Sequence, residues 1–143
     1  MNRTFSLTGL LRLRHLQQDE AAGVLAAANQ SAGENAVKST ETRAAIASIP
    51  TTATTSAALS AMAAARASSR NMLAELDGLG RHYAAAVGEA QNAFDAARAQ
   101  SVGLEKLESR HDAAWNAEEL RGEQAVLDEI ASTRWHREQA AAR

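Results

Sequence analysis

The chain has 143 residues, a net charge of −2, one proline, no cysteine and only 3% aromatic residues. This length is typical of one domain. The absence of cysteine excludes disulfides and thiolate metal sites, and the near-neutral charge argues against a protein that coats nucleic acid. About a quarter of the residues are alanine, which favours helix strongly but buries little apolar area. The composition therefore predicts a thin all-α protein.

The first predicted element is a helix over about residues 6–48. Small or apolar residues recur there at steps of three and four, which is typical of an amphipathic helix. We expect segment 5–16 to begin this helix rather than to be a cleaved targeting peptide, because Arg12 and Arg14 interrupt its apolar run. The residues of the predicted packed face are Leu10, Leu13, Ala21, Val24, Ala28, Ala32 and Ala36.

Two glycines, Gly23 and Gly33, lie inside this predicted helix. Glycine lowers helix stability by about 1 kcal/mol relative to alanine. One interpretation is a loose helix. The interpretation that we favour is that the two glycines allow a second helix to approach closely.

The segment "SIPTTATTS" ends the first helix, because Pro50 cannot continue it and the threonines have poor helix propensity. We predict a loop with a short helical turn over about residues 49–69, in which Ser56 is the N-cap.

The second predicted helix covers about residues 70–140 and follows a seven-residue repeat, which indicates a left-handed supercoil. One position of the repeat holds Leu76, Tyr83, Ala90, Ala97, Leu104 and His111. The other position holds Gly80, Val87, Phe94, Ser101, Glu108 and Trp115.

Two helices joined by one breaker predict an antiparallel two-helix coiled-coil hairpin. At ~1.5 Å per residue the helices would span roughly 60 and 105 Å, so some C-terminal residues of the second helix would overhang the first. Large apolar side chains on such an overhang indicate a protein interface. The residues expected at the base of the hairpin are Phe5, Leu10, Leu13, Leu104, Leu107 and Trp115.

Charge along the chain supports the same antiparallel arrangement. Residues 1–18 carry three arginines and no acid, whereas residues 104–129 carry eight acids and three basic residues. Exposed pairs between these segments would add at most ~0.5–1 kcal/mol each.

No motif in the sequence indicates catalysis, a cofactor or a metal. The histidines at 15, 82, 111 and 136 stand far apart and lack the spacing of metal ligands. The stretch "DGLGRHY" has no preceding strand and no following Gly-Lys-Ser/Thr. We therefore predict a non-enzymatic protein.

Both ends of the chain resemble the bacterial flagellar export protein family FliJ. The opening "FSLTGLLRLRHLQQDEAAGVLAAA" is similar to the family pattern F-x-L-x-x-L-L-x-L-R followed by E-x-x-A, and "LEKLESRHDAAWNAEELRGEQAVLDEIASTR" is similar to its C-terminal pattern. The matching N-terminal residues are Phe5, Leu7, Leu10, Leu11, Leu13, Arg14 and Glu20. The matching C-terminal residues are Leu104, Glu105, Leu107, Arg110, Glu123, Gln124, Leu127, Asp128, Glu129, Ala131 and Arg134.

The resemblance implies a non-catalytic, stalk-like component of the flagellar type III export apparatus, located at the cytoplasmic face of the membrane. It implies as partners the hexameric export ATPase, the cytoplasmic domain of the export gate and the export chaperones, with no nucleic acid and only an indirect membrane association. It also implies that the chain binds inside the ATPase ring and promotes its assembly. The ring-facing residues that we expect are Leu120, Glu123, Gln124, Leu127, Asp128 and Ile130.

Two alternatives remain at this point. The chain could be a scaffold coiled coil that self-associates and is unrelated to export. It could also place the helix Leu7–Leu16, with Arg12 and Arg14, on a membrane surface.

Overall fold

The protein is described by a computed structural model, which describes residues 4–141, so Arg3 of the basic N-terminal segment lies outside the described residues. Two long helices, α1 (Thr8–Ser48) and α2 (Ser56–Ala141), pack against each other, and residues 4–141 contain no strand. Contacts divide the chain into unit 1 (residues 1–15 and 99–143) and unit 2 (residues 16–98). Both helices contribute to both units.

In unit 2, the buried and half-buried residues of each helix recur at steps of three and four. Contacts between the helices pair later residues of α1 with earlier residues of α2: Asn35 with Leu76, and Thr42 with Met72. On α1 the packed face holds Gln18, Ala21, Leu25, Ala28, Ala32, Asn35, Ser39, Thr42 and Ile46. On α2 it holds Leu73, Leu76, Gly80, Tyr83, Val87, Ala90, Phe94 and Ala97.

In unit 1, the start of α1 packs against α2 around Ser101, the most completely buried residue, with 1% of its surface exposed. The ring of Phe5 lies 5.6 Å from the ring of His111. His15 Nε2 lies 2.7 Å from Glu105 Oε1, a contact between residues 1–18 and residues 104–129.

The packed face of α1 contains three of the seven predicted residues, Ala21, Ala28 and Ala32, whereas the other four lie outside it. Leu11 is buried, with 6% of its surface exposed, whereas Leu10 and Leu13 are 37% and 48% exposed. Val24 and Ala36 are exposed as well. The difference arises because the packed face includes polar side chains such as Gln18 and Asn35, which a search for apolar letters alone passes over.

Helix α2 begins earlier than the sequence predicts. The alanine-rich segment after residue 56 is continuous with α2, because alanine has the highest helix propensity. The N-cap is Thr55 rather than Ser56: the Ala58 amide donates to Thr55 Oγ1 at 3.1 Å. The connection is therefore residues 49–55, and the Arg66 guanidinium donates to the Pro50 carbonyl at 2.9 Å.

The predicted role of Gly23 and Gly33 is wrong. A Cβ atom added at either residue would meet no atom within 4 Å, so neither glycine marks a close approach of helices. Gly80 does: a Cβ atom there would lie 3.3 Å from Asn35 Nδ2.

Neither helix of the described chain has a stretch that is long and apolar enough to cross a membrane.

Candidate partner-binding surface

The C-terminal part of α2 presents the largest group of exposed apolar side chains. Every residue from 118 to 141 is exposed, and Ala117 is the last half-buried one. Five large apolar side chains in this segment are between 56% and 65% exposed: Leu120, Val126, Leu127, Ile130 and Trp135.

These side chains do not all share one face. At ~100° per residue, the steps of three and four from Leu120 through Leu127 to Ile130 keep these side chains on one side of the helix. Val126 lies about 100° from Leu127 but only about 40° from Ile130, at the border of this side. We call Leu120, Leu127 and Ile130, together with Glu123 and Gln124 between the leucines, the α2 stripe.

Polar contacts beside the α2 stripe stay within α2. Arg121 Nη1 lies 2.8 Å from Glu118 Oε2, and Arg134 Nε lies 3.0 Å from Glu138 Oε1. Such exposed pairs support the helix by about 0.2–0.5 kcal/mol each. They leave the apolar side chains of the stripe open to solvent.

The sequence-predicted residues thus lie in two places. The six predicted ring-facing residues are all exposed on the last part of α2: Leu120, Glu123, Gln124, Leu127, Asp128 and Ile130. The six residues predicted for the hairpin base lie in the same unit 1, at or just before the start of α1 and earlier in α2. Phe5, Leu104 and Trp115 are half-buried, whereas Leu10, Leu13 and Leu107 are exposed.

Unit 1 also carries an open, mainly apolar groove between the start of α1 and α2. Leu10, Arg14 and Leu107 line it. The remaining lining residues are Ala99, Gln100, Gly103 and Leu104. The groove brings together three of the six residues predicted for the hairpin base: Leu10, Leu104 and Leu107.

Across residues 4–141, no group of three or more histidine, aspartate or glutamate side chains is placed to hold a metal ion. The depressions on unit 2 lie along the packed face, around Asn35 and Leu76. The depression around Ile130 lies on the surface of α2 alone.

The sequence prediction of the packed face missed all four buried residues of α1. Leu11 and the polar residues Asn35, Ser39 and Thr42 are all buried. The signal that finds them is the spacing itself, since 35, 39 and 42 continue the three-and-four steps regardless of polarity.

Together these features define a class of protein: an all-helical protein of two long helices, with an exposed apolar stripe on one of them. A family model described as "Flagellar FliJ protein" matches residues 3–140, nearly the whole chain. The chain belongs to this family, which is a non-catalytic flagellar component, and membership implies a role connected with flagellar export. Searches of curated proteins and of solved structures found no match.

Proposed function

We propose that this protein is an antiparallel coiled-coil stalk of the flagellar export apparatus, and that the exposed end of α2 binds inside the hexameric ring of the export ATPase. The observation that carries the proposal is the α2 stripe. Its large apolar residues are exposed on a part of α2, residues 118–141, in which every residue is exposed. Apolar side chains in this number are typical of a protein interface.

The charges around the stripe suit a ring-shaped partner. Glu123, Asp128 and Glu129 lie between and beside the apolar residues. A helix of this kind can enter a channel and place the stripe against adjacent subunits on one side of the ring. The apolar residues supply binding energy through burial, and the acids restrict the partner to one of complementary charge.

In this account, the chain promotes assembly of the ring by contacting several subunits at once, and it couples the ring to the cytoplasmic domain of the export gate. It also binds export chaperones. Through these partners the chain is located indirectly at the cytoplasmic face of the membrane. The support for this part is the family membership.

A pull-down of the export ATPase with the full chain tests the α2 stripe directly. We expect Leu127→Asp to lower recovery at least tenfold. Burial of a leucine contributes roughly 1.5–3 kcal/mol, and each 1.4 kcal/mol changes an equilibrium constant tenfold.

Ala125→Asp is the matched control, since Ala125 is exposed and lies about 160° from Leu127 on the helical wheel. It introduces the same charge two residues away and should leave recovery within about twofold, a shift of ~0.4 kcal/mol. Equal recovery with the parent and with Leu127→Asp would exclude the stripe as the binding surface.

A further inference from the structure

Asn35 makes a hydrogen bond from one helix to the backbone of the other. Its side chain lies in the packed face of unit 2, with 8% of its surface exposed. The amide Nδ2 donates to the Leu76 carbonyl oxygen of α2 at 3.0 Å. Within a helix this carbonyl already accepts the amide of residue 80, and its second lone pair is available for the Asn35 donor.

The contact depends on Gly80. A Cβ atom at this residue would lie 3.3 Å from Asn35 Nδ2, closer than most such contacts. The chain has eight glycines, all within the described residues. Gly80 is the one at which an added Cβ would meet an atom of the other helix.

The rest of the packed face in unit 2 discriminates poorly between alignments of the two helices. Several of its residues are alanines, among them Ala21, Ala28 and Ala32 of α1 and Ala90 of α2. A shift of one helix by seven residues would move it by about 10 Å and bring similar small side chains together again. The packed residue Thr42 donates its hydroxyl to Lys38 of its own helix, a bond that such a shift would leave intact.

The Asn35 bond would not survive that shift. Moving α1 by seven residues would place Ala28 or Thr42 opposite Leu76, and it would leave the Asn35 amide to find another partner inside the packed face. A buried amide without a partner is unfavourable. A single buried asparagine can fix the alignment of paired helices for this reason.

We propose that Asn35, the Leu76 carbonyl and Gly80 form a register lock, which holds α1 and α2 of unit 2 in one alignment among those that the small packed side chains would otherwise permit. The lock is a property of the helix pair itself and does not depend on the function proposed above.

Double electron–electron resonance, which measures the distance between two spin labels, tests the register lock on the full chain. Because the native sequence has no cysteine, Thr40→Cys and Asn92→Cys add two unique label sites, both exposed in unit 2. The parent should give one distance population. Asn35→Val should add a second population displaced by about 10 Å, the length of seven helical residues. Asn35→Ala should do the same if valine disturbs folding, which circular dichroism of the labelled samples reveals.

Two control variants separate the lock from general loosening. Thr42→Val removes a buried hydroxyl that donates to the Lys38 carbonyl of α1 at 2.8 Å and meets α2 only through a long contact of 3.7 Å with the Met72 sulfur. Gly88→Ala adds a Cβ where no atom lies within 4 Å. Both should keep the single distance, whereas Gly80→Ala should broaden or split it. A single, unshifted distance in folded Asn35→Val and Asn35→Ala would overturn the proposal. So would equal splitting in Thr42→Val.

Discussion

At the scale of single residues, the packed faces contain few buried apolar side chains. The buried apolar residues of the described chain are Leu11, Leu76 and Ala90, and four further buried residues are polar: Asn35, Ser39, Thr42 and Ser101. Hydrophobic burial scales with apolar area. Each large apolar side chain that is buried should therefore carry an unusually large share of the stability.

Leu11 provides the test. We expect Leu11→Ala to lower the free energy of unfolding by about 2 kcal/mol, the lower end of the range for buried leucines, because a two-helix layer can relax around the gap. Leu13→Ala, two residues away but half exposed, should stay within about 0.5 kcal/mol. Urea unfolding followed by Trp115 fluorescence in a Trp135→Phe background measures both. Equal losses would contradict the packed face described for α1.

At the scale of elements, the boundary between α1 and α2 is set by a few side chains. Pro50 follows the end of α1, and Thr55 caps the start of α2 through the Ala58 amide. The Arg66 guanidinium also holds the Pro50 carbonyl. The alanine-rich segment after the cap stays helical without extensive packing, because alanine has a high helix propensity.

We expect Thr55→Ala to destabilise the first turn of α2 by about 1 kcal/mol, since it removes the acceptor of the Ala58 amide. Hydrogen exchange of residues 56–60 should accelerate about fivefold, which corresponds to ~1 kcal/mol. Thr54→Ala is the matched control and should leave this exchange unchanged. The same acceleration in both variants would rule out Thr55 as the cap.

The periodicity of the sequence predicted the packed face of α2 well and that of α1 poorly. All twelve α2 residues of the predicted repeat, from Leu76 to Trp115, are buried or half-buried, because tyrosine, phenylalanine and valine mark this repeat plainly. On α1 the repeat runs through Gln18, Asn35 and Ser39, which apolar patterning does not register. The glycines were uninformative from sequence alone, since only the three-dimensional neighbours distinguish Gly80 from Gly23 and Gly33.

The candidate surface was predictable in position but not in partner. The spacing of Leu120, Leu127 and Ile130 indicates one helix face, and the structure leaves these side chains exposed. A similar stripe could bind another copy of the chain or a different protein. These two kinds of partner differ in the chemistry of their binding surfaces, and the sequence of this chain does not specify which surface the stripe contacts.

At the scale of the whole molecule, the chain combines a helix pair that has a polar packed face with an exposed apolar stripe on α2. The pair supplies a defined alignment, and the stripe supplies the binding surface. Light scattering separates this from the scaffold alternative, because a stalk that inserts into a ring should be monomeric when isolated. A stable dimer or tetramer whose assembly requires Leu127 would favour self-association.

The most direct measurement is site-specific photo-crosslinking from α2 to the assembled export ATPase. A benzophenone side chain placed singly at residues 119 to 131 reports which side of the helix contacts the ring. We predict strong crosslinks from residues 120, 124 and 127, which share the face of the α2 stripe, and weak ones from residues 122 and 125, which lie on the opposite side of the helix. Crosslinks of uniform strength along the segment, or none at all, would contradict this prediction.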